Sequence, residues 1–237
     1  MSVRRRLLQA VLFCTVALGG ALLWHEVPLA ATATERALIT SKLQSAGIAA
    51  PPTYPLHFAD QLQRIRQVQD LVLDEAPAMT PIPLGQSREP DALFAAKSGH
   101  CADRSRAIEK ILRLEGFTVR HVFLLSRHQG ESYWQPLVVA NRDSHAVTEV
   151  LTEKGWLIVD SNDRWLTLDK VGNPVSASQL ERHVISNDVW QNPAPNGIYA
   201  TPVLAIYGLY ARHGQFYSPY DAIPDVNLSE LAQNFYN

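Results

Sequence analysis

The sequence predicts an α+β fold, with helices first, one central helix, and then a meander of antiparallel strands. Three observations predict it. Apolar residues between positions 34 and 75 recur at helical spacing. A short amphipathic segment, 101–115, is closed by Gly116. Beyond it come short runs rich in β-branched and aromatic residues, separated by polar turns. The chain has 237 residues, 46% hydrophobic and 19% charged, enough for a real core and too apolar for a disordered chain. Its net charge of −2 argues against a general nucleic-acid binder, so no nucleic-acid partner is expected. With only Cys14 and Cys101, neither a disulfide scaffold nor a cysteine-rich zinc site can be built.

At the N-terminus, Arg4, Arg5 and Arg6 precede an apolar run of 18 residues from Leu7 to Trp24, broken only by Gln9 and Thr15. A basic start followed by an apolar segment is an export signal or a membrane anchor. The run is long for a signal-peptide core and at the short end for a spanning helix. Ala31-Thr32-Ala33 offers a small-x-small cleavage site. A retained inner-membrane anchor through residues 7–24 and a cleaved leader therefore both stay open. Either way residues 34–237 are expected outside the cytoplasm, facing the periplasm or secreted. Phe13 is too large for the position before a lipidated cysteine, so Cys14 is not read as a lipid attachment point.

In order along the rest, residues 34–47 read as a helix with Leu38, Ile39 and Leu43, closed by Gly47. Residues 49–52 are a short linker. Residues 58–75 read as a second helix, with Leu62, Ile65, Val68, Leu71 and Val72 on one face. Pro81, Pro83, Gly85 and Pro90 mark 77–90 as a loop. The central helix runs from about 101 to 115. A strand is expected over 117–125, a polar loop over 126–133, and strands near 135–140, 144–151, 155–160 and 164–168. A helix is expected at 176–184, and the C-terminal part carries an apolar stretch at 203–209.

Cys101 is the only cysteine in the exported part, and it opens the central helix behind Ser98-Gly99-His100. Gly99 permits a tight turn. The positive end of the helix dipole favours thiolate over thiol. Cys101, Ser105, Ile108 and Leu112 share one stripe, which faces the interior. Downstream, 144–150 and 155–160 both alternate like strands. Closed as a hairpin over the four residues 151–154, Val150 pairs with Gly155 and His145 falls opposite Asp160 on one sheet face. Opposed Cβ atoms lie roughly 4.5–5.5 Å apart, within reach of an imidazole–carboxylate hydrogen bond. A thiol needs a base that later returns its proton to the leaving group. Histidine does both, and a carboxylate on its second nitrogen fixes the tautomer and stabilises the imidazolium.

These residues resemble the transglutaminase-like superfamily, a branch of the papain-like folds with a Cys-His-Asp triad. The motif is Gly99-His100-Cys101-Ala102-Asp103-Arg104-Ser105, followed by Gly116-Phe117-Thr118-Val119-Arg120-His121-Val122, then His145-Ala146-Val147-Thr148-Glu149-Val150, then Trp156-Leu157-Ile158-Val159-Asp160. The resemblance spans about residues 85–170. It implies a papain/transglutaminase-like core whose Cys-bearing helix packs on an antiparallel sheet. It implies Cys101 as nucleophile, His145 as general base and acid, and Asp160 as the orienting carboxylate; no cofactor is expected, and no His/Asp/Glu cluster has metal spacing. It also implies a protein or peptide substrate, opened at an amide bond through a thioester. Exported bacterial proteins of this kind are more often hydrolases (peptidases or amidases) than cross-linkers. Acyl transfer to an amine and a catalytically silent binding module are the alternatives. Two departures, Val147 where an aromatic is common and Ser161-Asn162-Asp163 after the aspartate, bear on the acyl pocket rather than the triad.

The chain then divides into 1–33, anchor or signal peptide; 34–84, a helical extension; 85–175, the catalytic core; and 176–237, a C-terminal extension packed on the core. Elsewhere, His100 adjoins the nucleophile but points away from it. The Cys101 backbone N–H is a natural oxyanion donor. Tyr133 and Trp134 are read as packing residues near the acyl groove. His121 and His128 are not spaced as a metal pair, and Asp221, Asp225 and Asn227 do not follow an EF-hand.

Overall fold

The computed structural model describes residues 3–51, 55–83, 86–128, 130–132, 135–137, 139, 142–183, 186–210 and 225–236. For residues 3, 6, 7, 10, 22 and 23 it describes the backbone alone. The helices are α1 Val3–His25, α2 Ala33–Ser45, α3 Phe58–Glu75, α4 Pro90–Ala96, α5 Cys101–Leu114, α6 Ala177–Arg182 and α7 Leu228–Leu231. The strands are β1 Val119–Ser126, β2 Ser144–Thr152, β3 Gly155–Val159, β4 Val203–Tyr207, β5 Leu209–Tyr210 and β6 Asp225–Val226. β1 to β4 form one antiparallel sheet in the order β3-β2-β1-β4, and β5 pairs with β6.

The α+β expectation therefore holds, and the Cys-bearing helix does pack on the sheet. Ile108, Ile111 and Leu112 of α5 meet Val150, Leu157 and Val159 of the sheet, with Ile65, Val68 and Val72 of α3 and Ile39 of α2 behind them. The opposite sheet face carries Val122, Leu124, Val147 and Ile158, covered by Leu180 of α6 and by Trp165, Trp190 and Tyr199. Alternation along β1 and β2 sends successive side chains to these two cores.

Helix α5 is enclosed on nearly all sides, so its charged residues are buried along with its apolar stripe. Each finds a partner from elsewhere in the chain. Arg88 donates to Asp103 Oδ1 at 2.6 Å, Arg106 to Glu89 Oε2 at 3.1 Å, and Lys110 Nζ lies 2.6 Å from Glu89 and against Glu35. Burying such charges is tolerable only because they are met.

Three expectations change. No strand forms at 164–168; Leu166 and Leu168 make isolated bridges, and the Ile158 N–H donates to Thr167 Oγ1 rather than to a backbone carbonyl, which interrupts the ladder. Residues 135–137 form a 3-10 turn, where Pro136 lacks a ladder donor, and 138, 140 and 141 lie outside the described residues. The stretch at 203–209 supplies β4, so the C-terminal extension contributes an edge strand beside β1 rather than only packing on the core. The loop expected at 77–90 runs into α4, Pro90–Ala96, with Pro90 in its first turn.

On α1, Leu8, Val11, Leu12, Phe13, Val16 and Leu18 are all more than half exposed. Among the described residues, which leave out the side chains of Leu7, Ala10, Leu22 and Leu23, no helix is long and apolar enough to cross a membrane.

Candidate active site

Gly99 is required by space rather than by its dihedrals. A Cβ there would meet Leu93 Cδ1 at 2.4 Å and Asp103 Cβ at 2.9 Å. This close approach lets His100 cap α5. The His100 N–H donates to Asp103 Oδ2 at 2.8 Å, and Arg88 neutralises the same carboxylate. Asp103 therefore supports the helix start without setting an uncompensated negative charge beside Cys101. The His100 side chain is exposed.

Cys101 is half-buried against Phe123, Leu125, Ala146 and Leu204. β3 stops at Val159, opposite Thr148, so the first residues of β2 have no strand on that side. The sulfur takes part of that place. The Ala146 N–H on the open edge, the Ala102 N–H and His145 are the groups that favour its thiolate. Ser161 Oγ donates to the Ala146 carbonyl at 2.6 Å along the same edge. Burial pushes the thiol up, but His145 and these N–H groups outweigh it and hold the thiol below its ordinary value.

The hairpin register differs from the expected one by two residues. Thr152, not Val150, pairs with Gly155, and the loop is Glu153-Lys154. Gly155 takes φ +120°, which a larger residue rarely adopts, and Thr152 Oγ1 donates to its carbonyl. His145 and Asp160 are therefore not directly opposed. They still meet, with His145 Nε2 2.9 Å from Asp160 Oδ2, because a two-residue shift leaves every side chain on its own face.

Both oxygens of Asp160 are filled. Oδ1 accepts from the N–H groups of Asn162 and Asp163 at 2.7 and 2.8 Å. Oδ2 accepts from His145 and from the Tyr199 hydroxyl at 2.6 Å. Burial would raise this carboxyl, but the imidazole, the hydroxyl and the Asn162 amide hold it below the ordinary range. With Nε2 on the carboxylate, Nδ1 is left for the sulfur. Burial disfavours a charged His145, yet Asp160 and Cys101 push it up to about 10. The three shifts all favour the thiolate, imidazolium and carboxylate forms.

A surrounding frame sets this geometry. Gln69 Nε2 on α3 donates to the Asp160 carbonyl at 2.8 Å. Arg104, one turn after the cysteine, donates to the carbonyls of Ala76 and Ala78 and reaches Asn162 Oδ1 at 3.2 Å. Tyr199 stands edge-on to His145, with ring centroids 6.1 Å apart, and packs on Trp165. Sequence reasoning missed all three. Gln69 had a signal, a polar residue on the apolar face of a helix; Tyr199 had none beyond being one of eight tyrosines.

The other candidates lie elsewhere. His121 is buried in β1, 3.3 Å from Ser105 Oγ and stacked on Tyr210. His128 is exposed beyond the strand. Asp225 meets His25, and Asn227 caps α7. Among the described residues no group of three metal-ligating side chains gathers. Tyr133, Trp134 and Asp221 lie outside the described residues.

A helix-borne cysteine, a strand histidine and an aspartate after the next strand define a papain-like thiol site. Residues 53–161 match the transglutaminase-like superfamily, and this stretch is a transglutaminase-like domain. It runs from before α3 to just past Asp160, so it takes in all three residues, together with Gln69 and Arg104, and leaves Tyr199 outside. Among curated proteins none matches the chain.

Tyr199 is expected to act as a positioning residue, through its hydroxyl on Asp160. In Tyr199→Phe the Asp160 oxygen loses one donor, so its pKa rises and the carboxylate is held less firmly against the imidazole. Acylation of Cys101 is expected to slow about tenfold, the scale of one hydrogen bond to a charged group. The acid limb of the rate–pH profile should move to higher pH. An unchanged profile would make Tyr199 a packing residue only.

Proposed function

We propose that the protein is an exported cysteine enzyme that opens an amide bond of a protein or peptide through a thioester acyl-enzyme, with water as acyl acceptor. The reading places it in the cell envelope, held at the inner membrane through residues 7–24. One observation carries the chemistry: His145 Nε2 lies 2.9 Å from Asp160 Oδ2, which leaves the other ring nitrogen for Cys101. The Cys101 thiolate attacks the amide carbonyl, and its backbone N–H at the start of α5 is positioned to donate to the oxyanion. The His145 imidazolium gives its proton to the leaving nitrogen, and the thioester remains. His145, now neutral, draws a proton from water, which attacks the thioester and frees the acid and the thiol. Asp160 holds one imidazole orientation throughout and stays ionised.

The test is alkylation by iodoacetamide against pH in a Cys14→Ser background, so that only Cys101 reports. The midpoint is expected well below about 8.5, the value of a free thiol. A midpoint at or above it removes the catalytic thiol and leaves a binding module. With an amide substrate in hand, an added primary amine separates the two enzyme readings, because accumulation of the acylated amine marks transfer instead of hydrolysis.

A further inference from the structure

The residues that follow α1 belong to the fold of the enzyme. Val27 is 1% exposed, its N–H donates to the Val226 carbonyl at 2.8 Å, and its carbonyl accepts from Asn227 Nδ2 at 3.0 Å. Glu26 forms a parallel bridge with Val226. His25 Nδ1 lies 3.2 Å from Asp225 Oδ1. Arg106 of α5 donates to the Pro28 carbonyl. Residues 26–28 thus lie along β6, joined to it by one parallel bridge, and reach the nucleophile's own helix five residues after Cys101, about 7.5 Å along its axis.

The site a leader peptidase would cut, Ala31-Thr32-Ala33, lies beyond residues 25–28. Thr32 caps α2, donating its N–H to Glu35 Oε2 at 2.7 Å and accepting from the Glu35 N–H at 3.2 Å. Glu35 in turn meets the buried Lys110. Cutting near Ala33 would strip the cap from α2, remove the carbonyl partner of Arg106, and uncover the groove that Val27 lines with Ala102, Asp103, Arg106 and Tyr210. A removable leader has no reason to be built into the domain it leaves.

We infer that residues 25–35 are a structural strap of the catalytic domain, and that the apolar segment before them is a permanent bilayer tether and not a cleaved leader. The tether rests on the export reading above; the strap does not. No spacer separates the two, since Trp24 ends the apolar run and His25 already touches the domain. The domain is therefore held against the membrane face, and the amides it meets are those presented there.

The experiment expresses the full chain with a C-terminal tag in a bacterial host, fractionates the cells and measures the intact mass of the protein. The expected result is the uncut chain, in the membrane fraction, released by detergent and not by salt. A chain shortened by about 31–33 residues in the periplasmic fraction overturns the tether while export stands. An uncut chain in the soluble cytoplasm overturns tether and export together. The strap is tested separately by Val27→Asp in the detergent-solubilised full chain, which places a carboxylate among buried partners. Its melting temperature should fall by about 5 °C or more. A wild-type melting temperature overturns the strap.

Discussion

His145→Ala is expected to slow acylation of Cys101 by about 10³-fold, the scale of losing a positioned acid–base group that works as a unit with its nucleophile. The sulfur loses a hydrogen bond and a neighbouring positive charge at once. What remains is burial, which pushes the thiol up, against the N–H groups of Ala146 and Ala102, which hold it down. The alkylation midpoint should therefore climb toward the ordinary thiol value. His145 is 1% exposed, so truncation also leaves a cavity and an uncovered Asp160. His145→Gln fills that space and separates the two effects, because it keeps a donor for Asp160 but has no titratable base. Both variants should lose activity, while Gln keeps more of the melting temperature. Alkylation of either variant at the wild-type rate at pH 6 would remove the thiolate–imidazolium pair from the account.

How the pair titrates follows from the signs. The folded-state pKa of His145 is raised to about 10, so the stability it contributes is complete below its unfolded value, near 6.5, and is lost as pH rises through 10. Asp160 is lowered, so its contribution is present above the unfolded carboxyl value and fades as pH falls through the folded one.

The elements closest to the nucleophile were legible because local rules decide them. The apolar face of 58–75 and its ends give α3 the same bounds in sequence and structure. Gly116 stops α5 with φ +88°, a conformation suited to glycine. Cys101, His145 and Asp160 could be placed together because the first two lie on regular elements whose period fixes their faces and Asp160 directly follows one. That same period hid the error in the hairpin. A four-residue loop and the observed Glu153-Lys154 loop put His145 on one face alike, so the contact was right while the pairing was not. Gly155 was the available signal, since a glycine at a strand start marks a corner.

Long-range partners were not legible. Nothing near Arg104 or Lys110 says that the first will tie Ala76 and Ala78 to Asn162, or that the second will meet Glu35 across a 75-residue separation. Read locally, these charges look like an exposed helix face, because helical periodicity reports how charge is distributed and not what covers it. The fourth strand and Tyr199 were lost for a related reason. Tyr199 sits in the short 3-10 turn Gly197–Ala200, where there is no period to say which way a side chain points. The aspartate was found through its strand, and the tyrosine that holds it was not.

Asp160→Asn is expected to remove most of the activity and to weaken the fold as well, where the sequence alone suggests a loss of activity only. Every neighbour of this carboxylate is a donor. Oδ1 faces the N–H groups of Asn162 and Asp163, and Oδ2 faces His145 Nε2 and the Tyr199 hydroxyl. An amide must set its NH2 against one of these pairs. Facing the backbone, it leaves the part-buried N–H groups of Asn162 and Asp163 without this acceptor and opens the turn that aims the residue. Facing His145, it accepts nothing from Nε2–H and favours the tautomer with the proton on Nδ1, where it can no longer take the thiol's proton. The cost is about 1–3 kcal/mol from one unpaired buried donor, which is several degrees of melting temperature in a chain of this size. Acylation should fall about 10³-fold even at temperatures where the variant is fully folded. The double variant with His145→Ala should be little slower than His145→Ala alone, since Asp160 acts through the imidazole. Tyr199→Phe added to Asp160→Asn should recover part of the lost stability by removing one opposing donor, and none of the activity. If Asp160→Asn acylates at the wild-type rate while folded, the aspartate is a turn residue and the cysteine and histidine work without it.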